Sequence, residues 1–234
     1  MKKFILAFIM FFVMISASLA DSNVYITQSG ASLDLDITMD GNNNAVGAAN
    51  DRTLLTGANL DVDIDLIGAS NVITGDFIGA GESGSDDLKI NQTGSTNTTA
   101  LNIGSSAATD DVSIIENRIG SSGVTSYLVG SAATVQDVSI TVDVVGDDID
   151  IAISEQSTST GSDKTTDIDI GTDSDDVDII ITHTGAGAHK TKLLCTGSCA
   201  GSDFTMSQTG VNSTNVDLIV TNATSSDVDI TITE

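Results

Sequence analysis

The sequence predicts an all-β chain wound as a β-solenoid, in which strand-turn-strand coils of about 25 residues stack along one axis. Three observations carry this reading. An apolar-x-apolar core recurs at near-constant spacing, its clearest copies close on glycine, and all but four of the 33 acidic residues are Asp rather than Glu. The core occurs at Val24/Ile26, Val62/Ile64, Leu88/Ile90, Val112/Ile114, Val138/Ile140, Val177/Ile179, Phe204/Met206 and Val228/Ile230. From Val62 to Val138 the steps are 26, 24 and 26 residues, and from Val177 to Val228 they are 27 and 24. The steps from Val24 to Val62 and from Val138 to Val177 are 38 and 39, which reads as one and a half units. Gly68, Gly94, Gly120 and Gly146 repeat independently at intervals of 26.

Each element follows from alternation and turn chemistry. Val24 to Gly30 alternates apolar and polar residues, as a half-buried strand does. Leu33 to Met39 alternates again and stops at Asp40-Gly41, a strong turn pair. Asn42 to Gly57 has no clear period and reads as an irregular insertion, after which Leu60 to Gly68 resumes the pattern with a weaker partner near Val72 to Ile78. Gly79 to Asp86 is a Gly/Ser/Asp turn. The units opening at Leu88, Val112 and Val138 return at Ala100–Ile103, Val124–Val129 and Ile149–Ile153. Ser157 to Thr166 reads as a polar loop, with Ile168-Asp-Ile170 as an added half-unit. Val177 to Gly185 returns near Lys190 to Leu194, Phe204 to Gly210 pairs with Val216 to Val220, and Val228 starts one more unit. Short strands at regular intervals also suit an antiparallel β-sandwich, the alternative fold. The constant phase of the motif favours the solenoid, because sandwich strands differ in role.

Residues 1–20 have the form of a secretory signal peptide: Lys2 and Lys3, an apolar run from Phe4 to Ile15, and Ser18-Leu-Ala20 before Asp21. Residues 21–234 then form a single repeat domain that is secreted, extracellular or on the cell surface. Without Lys2 and Lys3 the 8 basic residues become 6 against 33 acidic ones, a net charge of −27. Such a surface repels nucleic acid and anionic lipid. Membrane insertion is not expected: no later stretch could cross as a helix, and four aromatics (Tyr25, Phe77, Tyr127, Phe204) cannot girdle a barrel.

Three copies of the strand end, Ile26-Thr-Gln28-Ser-Gly30, Ile90-Asn-Gln92-Thr-Gly94 and Met206-Ser-Gln208-Thr-Gly210, resemble the curlin repeat of curli fibre subunits. In the remaining units the alternation and often the glycine persist without Gln, and His183-Thr-Gly185 has His in that slot. The resemblance implies one strand-loop-strand coil per repeat, with Gln28, Gly30, Gln92, Gly94, Gln208 and Gly210 as structural positions. It also implies a self-assembling extracellular fibre acting in adhesion or biofilm matrix, with a secretion or nucleator partner.

The residues reach self-assembly separately. Solenoids stay monomeric by capping their ends. Here strand signal starts just after the predicted cleavage site, and Val228, Ile230 and Ile232 offer an edge that can add to the first coil of another copy. The partner expected is therefore the chain itself, head to tail.

No catalytic constellation stands out, and no enzyme is expected. Alternating Asp on a strand is first of all a solvated face. Asp61, Asp63, Asp65 and Asp178 could bring carboxylates about 4.8 Å apart across coils, where weak, diffuse Ca²⁺ binding would relieve repulsion. No other cofactor is expected. His183, His189, Cys195 and Cys199 fall in one window, which admits zinc or copper; in a secreted chain Cys195-Thr-Gly-Ser-Cys199 instead favours a turn disulfide. A monomeric acidic module binding cations or a surface is the alternative function.

Overall fold

The chain is a stack of short parallel strands in two sheets, seen in a computed structural model. It describes residues 22–29, 33–47, 53–57, 59–79, 86–104, 111–130, 137–157, 163–172, 174–196, 199–210, 214–221 and 226–233. The expected signal peptide and Gly30 lie outside these residues. The strands are β1 (Ser22–Val24), β2 (Thr27–Ser29), β3 (Asp34–Asp40), β4 (Asn43–Val46), β5 (Thr53–Gly57), β6 (Asp61–Ile67) and β7 (Ser70–Gly79). They continue as β8 (Asp86–Thr93), β9 (Thr96–Ile103), β10 (Val112–Ile119), β11 (Ser122–Val129), β12 (Val138–Val145) and β13 (Ile149–Ser157). The last six are β14 (Asp163–Ile170), β15 (Val177–Gly185), β16 (Ala188–Cys195), β17 (Asp203–Thr209), β18 (Thr214–Val220) and β19 (Asp227–Thr233).

Sheet A runs β1-β4-β7-β9-β11-β13-β15-β17-β19, with β2 and β5 completing the first two rungs; sheet B runs β3-β6-β8-β10-β12-β14-β16-β18. The chain alternates between the sheets, so each coil contributes one rung to each. Every pairing among the described residues is parallel, which excludes the antiparallel sandwich. Register is one coil: Leu88 pairs with Ile114 and Ile114 with Ile140. A side chain pointing inward therefore sits on the inward side chain one coil away, about 4.8 Å distant. Leu88, Ile114 and Ile140 form one such buried column, and Ile151, Ile179 and Phe204 form another in the facing sheet.

The two long steps in the repeat are each one and a half coils. Val138 lies on β12 in sheet B, but Val177 lies on β15 in sheet A, with β13 and β14 between them. Val24 and Val62 likewise fall in opposite sheets. The Gln-x-Gly ending accordingly appears on β8 in sheet B and on β17 in sheet A.

Three segments differ from the expectation, for one reason. Asn42 to Gly57 is not an irregular insertion, because it supplies β4 and β5; the return strand after Leu88 starts at Thr96; and Asp163 to Thr166 open β14 rather than a loop. In each, polar residues occupy inward positions: Asn44 in β4, Asn97 and Thr99 in β9, and Lys164 and Thr166 in β14 are all buried. The apolar period vanishes there while the pleat continues.

Asn44, Asn71 and Asn97 stack in a buried ladder. Asn44 Nδ2 donates to Asn71 Oδ1 at 3.0 Å and Asn71 Nδ2 to Asn97 Oδ1 at 2.9 Å. The same amides donate to Ile67, Thr93 and Ile119 carbonyls at the corner, where the chain turns from one sheet to the other. The corner glycines stack alongside. A Cβ on Gly94 would collide with the Gly68 carbonyl oxygen and press on Asn71 Nδ2, so the backbones pass too closely for any other residue. Gly94→Ala is expected to cost about 3 kcal/mol in urea unfolding, whereas Ser95→Ala on the exposed side of the same corner stays within about 0.5 kcal/mol.

Candidate functional site

The inward columns are uncovered at the outermost described rungs. Phe204, Met206 and Gln208 on β17 are 4%, 5% and 0% exposed, whereas Val228, Ile230 and Ile232, which stack on them from β19, are 42%, 44% and 46% exposed. On β18 the inward Val216, Leu218 and Val220 are only partly buried, and so are Val24, Ile26, Leu33 and Leu35 at the opposite end. Among the described residues β19 pairs only with β17, β18 only with β16, β3 only with β6, and β1 and β2 only with β4 and β5. Among the described residues each end of the stack thus presents strand edges with no further strand paired to them around an apolar strip, the arrangement that templates addition of a further strand.

The outer faces carry stacked acids. Asp34, Asp61 and Asp87 follow one another on sheet B, and Asp150, Asp178, Asp203 and Asp227 on sheet A. Loss of hydration raises the Asp61 carboxyl above its ordinary value, and Asp34, Asp63, Asp87 and Asp36 add to the rise. Asp178 is raised by desolvation and then by Asp203 and Asp150; Asp143 by desolvation and then by Asp169 and Asp167, with Lys192 opposing. Two devices break the repulsion: Asn91 donates to Asp65, with Asn117 donating in turn to Asn91 at 2.8 Å, and Lys192 bridges Asp167 at 2.9 and 3.0 Å. Asp61, Asp63 and Asp65 share β6 in sheet B, while Asp178 is in sheet A, so the four do not converge. Among the described residues no group of three or more His, Cys, Asp or Glu is placed to hold a metal.

Two polar clusters are sealed inside the coil. In the first, Glu116 Oε1 accepts from Thr99 Oγ1 at 2.9 Å, and Oε2 accepts from Thr125 Oγ1 at 3.0 Å and from the Tyr127 hydroxyl at 2.8 Å. Arg118 Nη1 donates to Thr125 Oγ1 at 2.7 Å. The guanidinium fits because Gly123, in register with Asn97, has no side chain: a Cβ there would lie 2.6 Å from Arg118 Cζ. The asparagine ladder ends where the arginine begins. Burial lowers the Arg118 pKa, against the pull of Glu116, and burial raises that of Tyr127, reinforced by Glu116.

In the second cluster His183 Nε2 lies 3.1 Å from Glu155 Oε2 and 3.1 Å from Thr166 Oγ1, while Gln208 Nε2 approaches Nδ1 at 3.2 Å and donates to Thr191 Oγ1 at 2.9 Å. His189 stacks on His183 with ring centroids 5.2 Å apart. Burial first, then His189 and Lys164, push the His183 pKa down to about 3, so the ring is neutral at pH 7. With Gln208 Nε2 donating to Nδ1, the ring proton lies on Nε2, within reach of Thr166 Oγ1. Burial raises Glu155, with Lys164 opposing, and lowers Lys164, with Glu155 opposing.

Cys195 and Cys199 are joined in a disulfide, with Cα atoms 6.5 Å apart, and His183 and His189 turn instead into the buried cluster, so the four do not form one ligand set. Gln92 and Gln208 are buried on inward positions, where Gln92 Oε1 lies 3.3 Å from the Thr99 hydroxyl that donates to Glu116; Gly94 and Gly210 sit at the corners after them. Gln28 pairs in register with Leu55, and the register from there leads rung by rung to Gln208. The Glu116–Arg118 and Glu155–Lys164 clusters escape a period search because charged residues at alternate positions read as solvated. Their signal is that Ile114-Ile-Glu116-Asn-Arg118 continues a strand whose phase places both charges inside.

Comparison with known proteins finds no match among family models, curated proteins or solved structures.

Replacing His183 by Ala opens a void beside Glu155 and removes one contact each from Thr166 and Gln208, and is expected to cost about 2–4 kcal/mol; His183→Gln, which repeats the side chain of the next rung, stays within about 1 kcal/mol. The pH dependence separates them further. A buried His with a depressed pKa stays neutral in the folded chain while the unfolded chain takes up a proton, so the stability it contributes is lost as pH falls from about 6.5 towards 3. Between pH 6.5 and 4.5 the parent protein should lose up to about 1.4 kcal/mol per pH unit relative to His183→Gln, measured by urea unfolding.

Proposed function

We propose that this chain is a secreted structural protein, a curlin-like subunit of an extracellular fibre built by head-to-tail addition of copies and used in adhesion or biofilm matrix. The observation that carries this reading is the pair of open end rungs, with Val228, Ile230 and Ile232 exposed where the same columns are sealed one rung earlier. Addition of a second copy covers those side chains and completes the backbone ladders in the manner of the coils inside the chain. The buried charges support a structural rather than a catalytic role: both clusters are enclosed by stacked rungs, and Glu116 is held by Thr99, Thr125 and Tyr127.

A monomeric acidic module that binds divalent cations or a surface is the second reading, favoured by the stacked carboxylates whose pKa values are raised. The two readings differ in one assay. On the fibre reading, residues 21–234 sediment as polymer at high concentration and appear as filaments by electron microscopy, and Ile230→Lys remains monomeric with unchanged β content. Addition should also quicken from about 0.01 M to about 0.15 M salt, as the Debye length falls from about 30 Å to about 8 Å and the acidic columns repel less. A parent chain that stays monomeric throughout, with its Tm raised by millimolar Ca²⁺, favours the module instead.

A further inference from the structure

Among the described residues the two sheets do not contain the same number of rungs. Sheet A follows a nine-strand path from β1 to β19, and sheet B has eight strands from β3 to β18. The described strands therefore open and close in sheet A and span a half-integer number of coils, and that span is taken as the repeating unit of the fibre. In a solenoid each coil climbs one strand spacing, about 4.8 Å, and each strand half of that. A copy added in the same orientation would set its β1 and β2 on β19, which leaves its β3 two spacings from β18. One rung of sheet B would then be missing at every junction.

We propose that successive copies in the fibre are related by a half-turn about the solenoid axis, so that β3 of the incoming copy adds to β19 and its β1 and β2 add to β18. This rests on the fibre reading above and names the surfaces that meet. With the half-turn both sheets continue at one spacing with no rung missing. The strands that meet are also matched. Inside the chain β3, Asp34-Leu-Asp-Ile-Thr-Met39, is covered by β6, whose sequence opens Asp61-Val-Asp-Ile64. β19 opens Asp227-Val-Asp-Ile230, the same four residues. The other side of β3 thus receives a strand like the one it already pairs with, and Leu35, Ile37 and Met39 fall over Val228, Ile230 and Ile232. At the second contact Val24 and Ile26 fall over Val216 and Leu218, apolar on apolar. The sheets can exchange places because the repeat itself does so: the Gln-x-Gly ending closes β8 in sheet B and β17 in sheet A.

Cysteine cross-linking distinguishes the orientations. Thr27, Thr38 and Thr231 all point outward and are exposed. The half-turn sets Thr231 beside Thr38 of the next copy, at a spacing that permits a disulfide; the same-orientation junction sets it beside Thr27. Fibres of Thr38→Cys/Thr231→Cys, oxidised and run in denaturant without reductant, should give a ladder of covalent multimers at least tenfold stronger than fibres of Thr27→Cys/Thr231→Cys. The reverse pattern, or fibres that cross-link in neither variant, overturns the half-turn and leaves the fibre reading standing. Helical reconstruction of parent fibres tests the junction independently: rotation between copies near 180° beyond the intrinsic twist supports it, and rotation near 0° overturns it. A parent chain that forms no polymer overturns the fibre reading itself, and the junction with it.

Discussion

What every other feature depends on is the requirement that an inward side chain rest on the inward side chain one coil away. The parallel ladder fixes that spacing at about 4.8 Å, too little for water and enough for one residue on another. Apolar columns satisfy the requirement by contact alone, as Leu88, Ile114 and Ile140 do. A polar side chain in the same place must find its partner in the neighbouring rung or across the coil, because an unmet buried donor or acceptor costs about 1–3 kcal/mol. The asparagine ladder, the Glu116 and Arg118 cluster and the His183 cluster are three answers to that demand. Each uses several rungs, so each ties distant parts of the chain into one register. Apolar columns alone would tolerate a slipped coil more readily, since Val, Ile and Leu exchange at modest cost. The hypothesis that these clusters specify register follows from the same geometry that makes them expensive to break.

Legibility in the sequence divides along the same line. Where inward residues are apolar, as from Leu60 to Leu66 or Val177 to Ile181, the period of two is plain and the strands fall where it places them. The half-coils are also readable, because a step of 38 or 39 residues against a period near 26 admits few other meanings. Legibility fails where inward residues are polar. Asn44, Thr99 and Lys164 look like loop or surface residues in one dimension, and only the rungs above and below reveal that they are inside. The Arg118 site has a further signal that no single unit carries: the missing side chain at Gly123, on the opposite sheet, makes the space the guanidinium fills. The exposed rung is legible as alternation running on through Val228 to Ile232, which no described strand covers.

Charge acts against assembly and for solubility in the same molecule. The chain carries a net charge of −25, its outward Asp columns set like charges one rung apart, and the raised carboxyl pKa values of Asp61, Asp143 and Asp178 reflect desolvation together with that repulsion. Asn91, Asn117 and Lys192 interrupt the columns inside the chain. The exposed end strand carries Asp227 and Asp229 without such an interruption. Apolar continuity and backbone pairing thus draw the ends of two copies together while the outer acids hold them apart, a balance that ionic conditions can shift.

The most direct test of the stacked-coil account is the pattern of close backbone contacts in solution. In nuclear Overhauser spectra of residues 21–234, Ile90, Glu116 and Val142 should show sequential rung-to-rung contacts, each to the residue 26 positions away. The offset should stay constant along β8, β10 and β12. Contacts between β8 and β9 whose residue numbers run in opposite directions, as neighbouring antiparallel strands give, would contradict the account.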